Sequence, residues 1–417
     1  MYRQVTLPNG ARLLTEAVPG ARSAALGFFV GVGSRHEGAK ENGAAHFIEH
    51  MLFKGTQRRT AAQLAKDTDA IGGQFNAYTT KEHTCFYART LDSHLDQGLD
   101  ILEDMLFHSK FDPADTQLER GVILEEIGMY EDTPEDLVAE RLSAAVYKGS
   151  PLARPILGRA STLSGMGGGW LREWQRERYH AGVLVAALAG SFTRAQEERL
   201  TQLLASLPAG PLPKVRPAAY HGAVTVKRKA VEQNHLILAF PAPTYLDPRR
   251  AQVLLLNSLL GGGCSSRLFQ ELREERGLCY TVYSYVADHE DTGLIGVYAA
   301  VSPDQERQAL EAARRVVLEL ADHGPAREEV DRVREQAKAG LLMGNESVQA
   351  RMSHMGSSAL LYGRVRETQE ILDLYDAVTP EQLRALAGEL FQMEQASLSA
   401  VGRVSPAAEY SQWLTAL

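Results

Sequence analysis

The tightest condition on the fold comes from ten residues, Ala44 to Phe53, which read AAHFIEHMLF. At about 100° per residue, a helix here gathers His46, Glu49 and His50 into an arc of about 100° and leaves only apolar side chains elsewhere. A helix that apolar is buried. Burying three titratable groups side by side costs several kcal/mol unless something binds them. A divalent metal ion does so, since imidazoles at i and i+4 reach one ion while the neighbouring carboxylate stays free to act as a base. The bland alternative is a hydrogen-bonded pair of core histidines beside an unrelated glutamate.

A chain of 417 residues is too long for one ordinary core, so two or more domains of about 100 to 200 residues are expected. Apolar content of 44% and charged content of 23% are those of a soluble globular protein. The net charge of -8, without any basic run, argues against nucleic acid as a partner and leaves peptides or small molecules. Cys85, Cys264 and Cys279 are too scattered for a disulfide framework or a thiolate zinc site. The first residues carry no secretory h-region, and no apolar run approaches the ~20 residues of a membrane span. These features give the expectation of a cytoplasmic protein with no membrane partner.

The periodicities alternate between strand and helix. A hairpin turns at Asn9-Gly10, and Ser23 to Val32 reads as a central strand. Gln74 to Thr80 and His83 to Leu91 read as paired strands followed by an amphipathic helix from Leu95 to Phe107. The same pattern, two strands and then a helix, recurs from Tyr280 to Ala321. Between the halves, residues 208 to 217 hold four prolines and read as a linker. The expected fold class is therefore α+β, with two similar units, each a mainly antiparallel sheet covered by helices. The expected domains are 1–207, which binds the metal, and 223–417, with a linker at 208–222. Gly261-Gly262-Gly263 lacks phosphate-loop spacing and reads as a mobile turn, and Ser266 to Glu275 as a helix.

Two histidines do not hold zinc alone, because a catalytic site takes three protein ligands and keeps one position open. Leu118 to Met129 offers Glu119, Glu125 and Glu126. Glu119 and Glu126 fall on one helix face and Glu125 about 100° away, so one of the two can ligate while the other supports a histidine or the water. Spacing alone leaves open which does which.

The segment His46-Phe-Ile-Glu-His50-Met-Leu-Phe-Lys-Gly-Thr56 resembles the active-site segment of the pitrilysin superfamily of inverted zincins, most of all its mitochondrial-processing-peptidase branch and bacterial relatives. Further likeness lies in Gly73-Gln-Phe-Asn-Ala-Tyr-Thr79, in Val122-Ile-Leu-Glu-Glu126, and in Gly262 to Tyr280. The resemblance implies Glu126 as the third metal ligand, Glu119 as an additional catalytic carboxylate, and Glu49 as general base. It also implies that Phe75, Asn76 and Ala77 form an edge strand to which substrate adds, and that Arg273 and Tyr280 contact substrate near the reacting carbonyl.

On that resemblance the expected activity is a zinc-dependent endopeptidase holding one Zn2+ per chain. It would hydrolyse peptides or unfolded protein segments in a chamber between domains, by water attack without a covalent intermediate. Relatives of this length pair two chains, which implies a homodimer, or a heterodimer with a paralogue, in which each zinc site is finished by the partner chain's Arg/Tyr pair. The rival expectations are a non-catalytic processing-peptidase-like subunit or peptide-binding scaffold, and a different metal hydrolase acting on small molecules.

Overall fold

The computed structural model describes residues 2–415. In the first half, Arg3–Thr6 (β1) and Arg12–Ala17 (β2) form the expected hairpin, followed by Ser23–Val30 (β3). Ala44–Met51 (α1) and Ala61–Ala70 (α2) come next, the latter capped by the Thr60 hydroxyl, which accepts from Gln63 N. Gln74–Thr79 (β4) and Thr84–Leu91 (β5) lead into Leu95–His108 (α3), Pro113–Asp132 (α4) and Pro134–Val146 (α5). Ala160–Leu163 (α6), Gly168–Arg178 (α7), Leu184–Gly190 (β6) and Arg194–Ser206 (α8) follow. Residues 207–223 hold no helix or strand.

The second half opens with Val224–Arg228 (β7), Asn234–Pro241 (β8) and Arg250–Gly261 (α9). After a short segment come Cys279–Asp288 (β9) and Gly293–Val301 (β10), and then Glu306–His323 (α10), Arg327–Gly344 (α11) and Val348–Tyr362 (α12). Thr368–Asp376 (α13), Pro380–Leu390 (α14), Ser397–Gly402 (β11) and Ala407–Thr415 (α15) complete it. Among the described residues no helix is long and apolar enough to cross a membrane.

The strand order identifies the duplication. One sheet runs β1-β2-β6-β3-β5-β4 and the other β7-β11-β8-β10-β9. In each, the pair β2/β6 or β7/β11 is parallel, and the strands after it pair antiparallel. Apart from the added strand β1, the two sheets have one topology, so the chain is an α+β duplication.

The compact units do not follow chain order. The first comprises residues up to 127, 154–216 and 342–366; the second comprises 128–153, 217–341 and 367 onward. In the first unit α12 packs against β3 and β6, and in the second α5 packs against β8 and β11, the equivalent strands. The seat of α12 explains two glycines. A Cβ on Gly27 would lie 2.4 Å from Met352 Sδ, and one on Gly356 would lie 2.0 Å from a Phe29 ring carbon. Leu14, Ala25, Phe29, Val185, Ala187, Met352 and Met355 close this face, while Phe28, Phe47, Ile48 and Leu102 lie in the core on the other.

Two expectations are corrected. Residues Phe269–Glu275 wind more widely than an α-helix, in π-type turns, rather than continuing a regular helix from Ser266. Gly261 is not turn but the buried last residue of α9, where a Cβ would lie 2.3 Å from Ser284 N; only Gly263 meets open space.

Candidate active site

The first unit brings the motif residues together. On α1, His46 and His50 lie one turn apart with ring centroids 4.5 Å from each other. On α4, Glu126 directs Oε2 between them, 3.6 Å from His46 Nε2 and 3.5 Å from His50 Nε2. That oxygen is buried and has no hydrogen-bond partner. Among the described residues these three form the one group able to hold a metal ion, with donor atoms within 4.8 Å of one another. Two ligands about 2.0 to 2.1 Å from a tetrahedral zinc stand roughly 3.4 Å apart, so the donor set fits zinc as it lies. An orphaned buried carboxylate oxygen facing two imidazole nitrogens otherwise has no reason to persist.

Glu119, two turns earlier on α4, is 4% exposed. Its Oε1 meets His50 Nδ1 at 2.9 Å and its Oε2 meets Lys54 Nζ at 2.6 Å. A carboxylate on Nδ1 keeps the proton there and leaves the Nε2 lone pair toward the metal position. Glu125, by contrast, is exposed, as the helical spacing requires. Burial, with His50 close by, pushes the His46 imidazole down to about 3, so it is neutral and able to ligate at ordinary pH. Burial raises Glu49 above the usual carboxylate range, opposed by the hydroxyl of Thr79, which donates to Glu49 Oε2 at 2.5 Å.

Phe75, Asn76 and Ala77 lie on β4, which pairs with β5 on one side and forms the edge of its sheet on the other. Phe75 and Ala77 pack on the core, so Asn76 faces the opposite side, where it is exposed and its Oδ1 accepts from Ala77 N at 2.8 Å. Arg273 and Tyr280 belong to the second unit. They touch: the Arg273 guanidinium lies 4.4 Å from the Tyr280 ring centroid and 4.7 Å from that of Phe269. Tyr280 is 74% exposed.

Reading the sequence missed Lys54 and Thr79, although both stand inside the quoted motifs, because their partners Glu119 and Glu49 are distant in the chain. His83 meets the Thr80 hydroxyl and His94 the Gln97 side chain.

Residues 12–160, which contain His46, Glu49, His50 and Glu126, match the family model described as insulinase (peptidase family M16). Residues 170–337, which contain Arg273 and Tyr280, match that of the peptidase M16 inactive domain. The uncharacterized zinc protease YmxG of Bacillus subtilis is 38% identical over 397 residues, covering 95% of this chain and 97% of that one. An uncharacterized zinc protease of Streptomyces coelicolor is 39% identical, covering 96% of this chain and 89% of its own. Among solved structures, a peptidase M16 inactive domain from Pseudomonas fluorescens superposes with a TM-score of 0.90 at 22% identity, covering 97% of this chain and 98% of that one. A protease from Helicobacter pylori gives 0.89 at 21%, covering 96% and 99%, and at these identities the likeness is one of fold. With relatives this similar along almost its whole length, the chain belongs to the insulinase family of peptidases, M16.

Proposed function

We propose that this protein is a zinc endopeptidase acting on peptides or unfolded protein segments, with one Zn2+ per chain held by His46, His50 and Glu126. The observation that carries the reading is the unpartnered Glu126 Oε2 held 3.5 and 3.6 Å from two imidazole nitrogens. Zinc bound there lowers the pKa of its water toward about 7 and polarises the scissile carbonyl. Glu49, between the two histidines in sequence, takes the proton of the attacking water and passes it to the leaving amine. Thr79 fixes the orientation of Glu49, and Glu119 with Lys54 fixes that of His50.

An extended substrate adds to the free edge of β4, backbone to backbone, along Phe75, Asn76 and Ala77. Arg273 and Tyr280 bind substrate, with the Tyr280 hydroxyl as a donor to the developing oxyanion. The active form is a homodimer, in which each zinc site is served by the Arg273 and Tyr280 of the partner chain; a paralogue in the partner's place would do the same. We place the protein in the cytoplasm. A non-catalytic scaffold would have no use for the complete set His46, Glu49, His50 and Glu126, which disfavours that alternative.

Metal analysis of the purified protein, with cleavage of a quenched unstructured peptide, tests this reading. Stoichiometric zinc, and activity lost to a chelator and regained with zinc, are expected; absence of a bound transition metal would overturn it. Mixing Glu49→Gln protein with Arg273→Ala protein tests the dimer: activity should reappear in the mixture, and two inert proteins that stay inert together would count against sites shared between chains.

A further inference from the structure

The first turn of α1 has an uncommon cap. Its N-cap residue is Gly43, at φ +101, which has no side chain to accept the free N–H groups of the turn. No larger residue fits there: a Cβ would lie 2.8 Å from Leu157 O and 2.9 Å from Gly158 Cα. The acceptor comes from upstream instead. Glu37, 3% exposed, takes Gly43 N on Oε2 at 2.8 Å and Ala45 N on Oε1 at 2.9 Å. Asn42, 1% exposed, donates Nδ2 to the same Oε2 at 3.0 Å and to Pro155 O at 2.8 Å. The Arg154 guanidinium donates to the Glu37 backbone carbonyl. One buried carboxylate thus caps the start of α1, and Asn42 ties that cap to the 154–158 loop.

His46 follows Ala45 directly, so whatever fixes Ala45 N fixes where that imidazole starts. Metal ligands tolerate displacements of only about 0.2 Å. We infer that Glu37 is a positioning residue for the metal ligand His46, setting the first turn of α1 so that the His46 ring meets Glu126. This rests on the zinc reading above. It adds an element from outside the metal motif, and it explains why a carboxylate is buried where, among the described residues, its oxygens meet only backbone N–H groups and Asn42.

The test uses the full chain with Glu37→Gln, which keeps size but offers a single acceptor oxygen. Zinc affinity is read by competition with a chromophoric chelator, the site's geometry by the d–d spectrum of the cobalt-substituted protein, and folding by the thermal melt. Glu37→Gln should melt cooperatively, bind zinc about 10- to 100-fold more weakly and show altered cobalt bands. Glu306→Gln, which removes a buried carboxylate from the second unit, should lower stability without moving zinc affinity or the cobalt spectrum. Should Glu37→Gln not fold, Asn42→Ala, which frees Glu37 from one of its three donors, should show the same changes at smaller size. Zinc affinity within twofold of wild type with an unchanged cobalt spectrum would overturn the inference. Wild-type protein that takes up no zinc overturns the inference and the proposed function together, whereas normal wild-type uptake with an indifferent variant overturns the inference alone.

Discussion

Glu119 Oε1 and His50 Nδ1 stand 2.9 Å apart, and this contact decides which nitrogen of the imidazole faces Glu126. Glu119→Gln can present its amide N–H to Nδ1, which favours the tautomer with the proton on Nε2, the wrong nitrogen for a metal. Zinc affinity should fall about 10- to 100-fold in a competition titration. Unchanged affinity would mean that Glu119 does not set the tautomer.

Thr79 should separate chemistry from metal binding. Its hydroxyl donates to Glu49 at 2.5 Å, a residue outside the proposed ligand set. Hydrogen bonds to charged groups contribute about 1.5 to 3 kcal/mol, so Thr79→Val should lower kcat on the order of 10- to 100-fold. Zinc content and KM should stay near wild type. A raised KM with normal kcat would place Thr79 in substrate binding instead.

Acid should weaken the first unit through two histidines outside the site. Burial, with Arg35 adjacent, holds His36 down at about 4, and burial does the same to His83. Both pKa values lie below that of the unfolded chain, so between about 6.5 and 4 the unfolded state binds more protons and stability falls as pH falls. Glu37 opposes this, since burial pushes it up to about 7 and protonation between about 7 and 4.5 favours the folded state. Melts of metal-free protein at pH 6.5, 5.5 and 4.5 should therefore show His36→Gln/His83→Gln gaining on wild type as the pH drops, by about 1 kcal/mol per unit per site at most. A stability gap that does not change with pH would contradict the assignment.

The exchange of helices predicts how the chain can be cut. A fragment ending at residue 216 lacks α12 and leaves Leu14, Ala25, Phe29, Val185 and Ala187 without cover. It should bind a hydrophobic dye and fail to melt cooperatively, although it carries all four motif residues. A fragment with the cooperative transition of the intact protein would show that α12 is dispensable.

The sheets, most helices and the metal face of α1 were legible because each depends on local periodicity. His46, Glu49 and His50 share a face through helical geometry alone, and Glu119 with Glu126 through two helical turns. The order of strands in each sheet was not legible, because parallel pairs such as β2 with β6 join segments far apart in the chain. The seating of α12 on the first sheet was hidden for the same reason; what betrays it afterwards is the pairing of Gly27 with Met352 and of Gly356 with Phe29. The wide turns at Phe269–Glu275 kept a helical sequence pattern and changed only the hydrogen-bond spacing, which composition does not record.

In the proposed enzyme one ion is held by His46, His50 and Glu126 while Glu49 does the proton transfer. Zinc content and peptide cleavage measured side by side on wild type and Glu49→Gln test it most directly. One zinc in both proteins and cleavage in the wild type alone are expected. A Glu49→Gln protein that cleaves at the wild-type rate, or a wild type that cleaves with no metal bound, would contradict it.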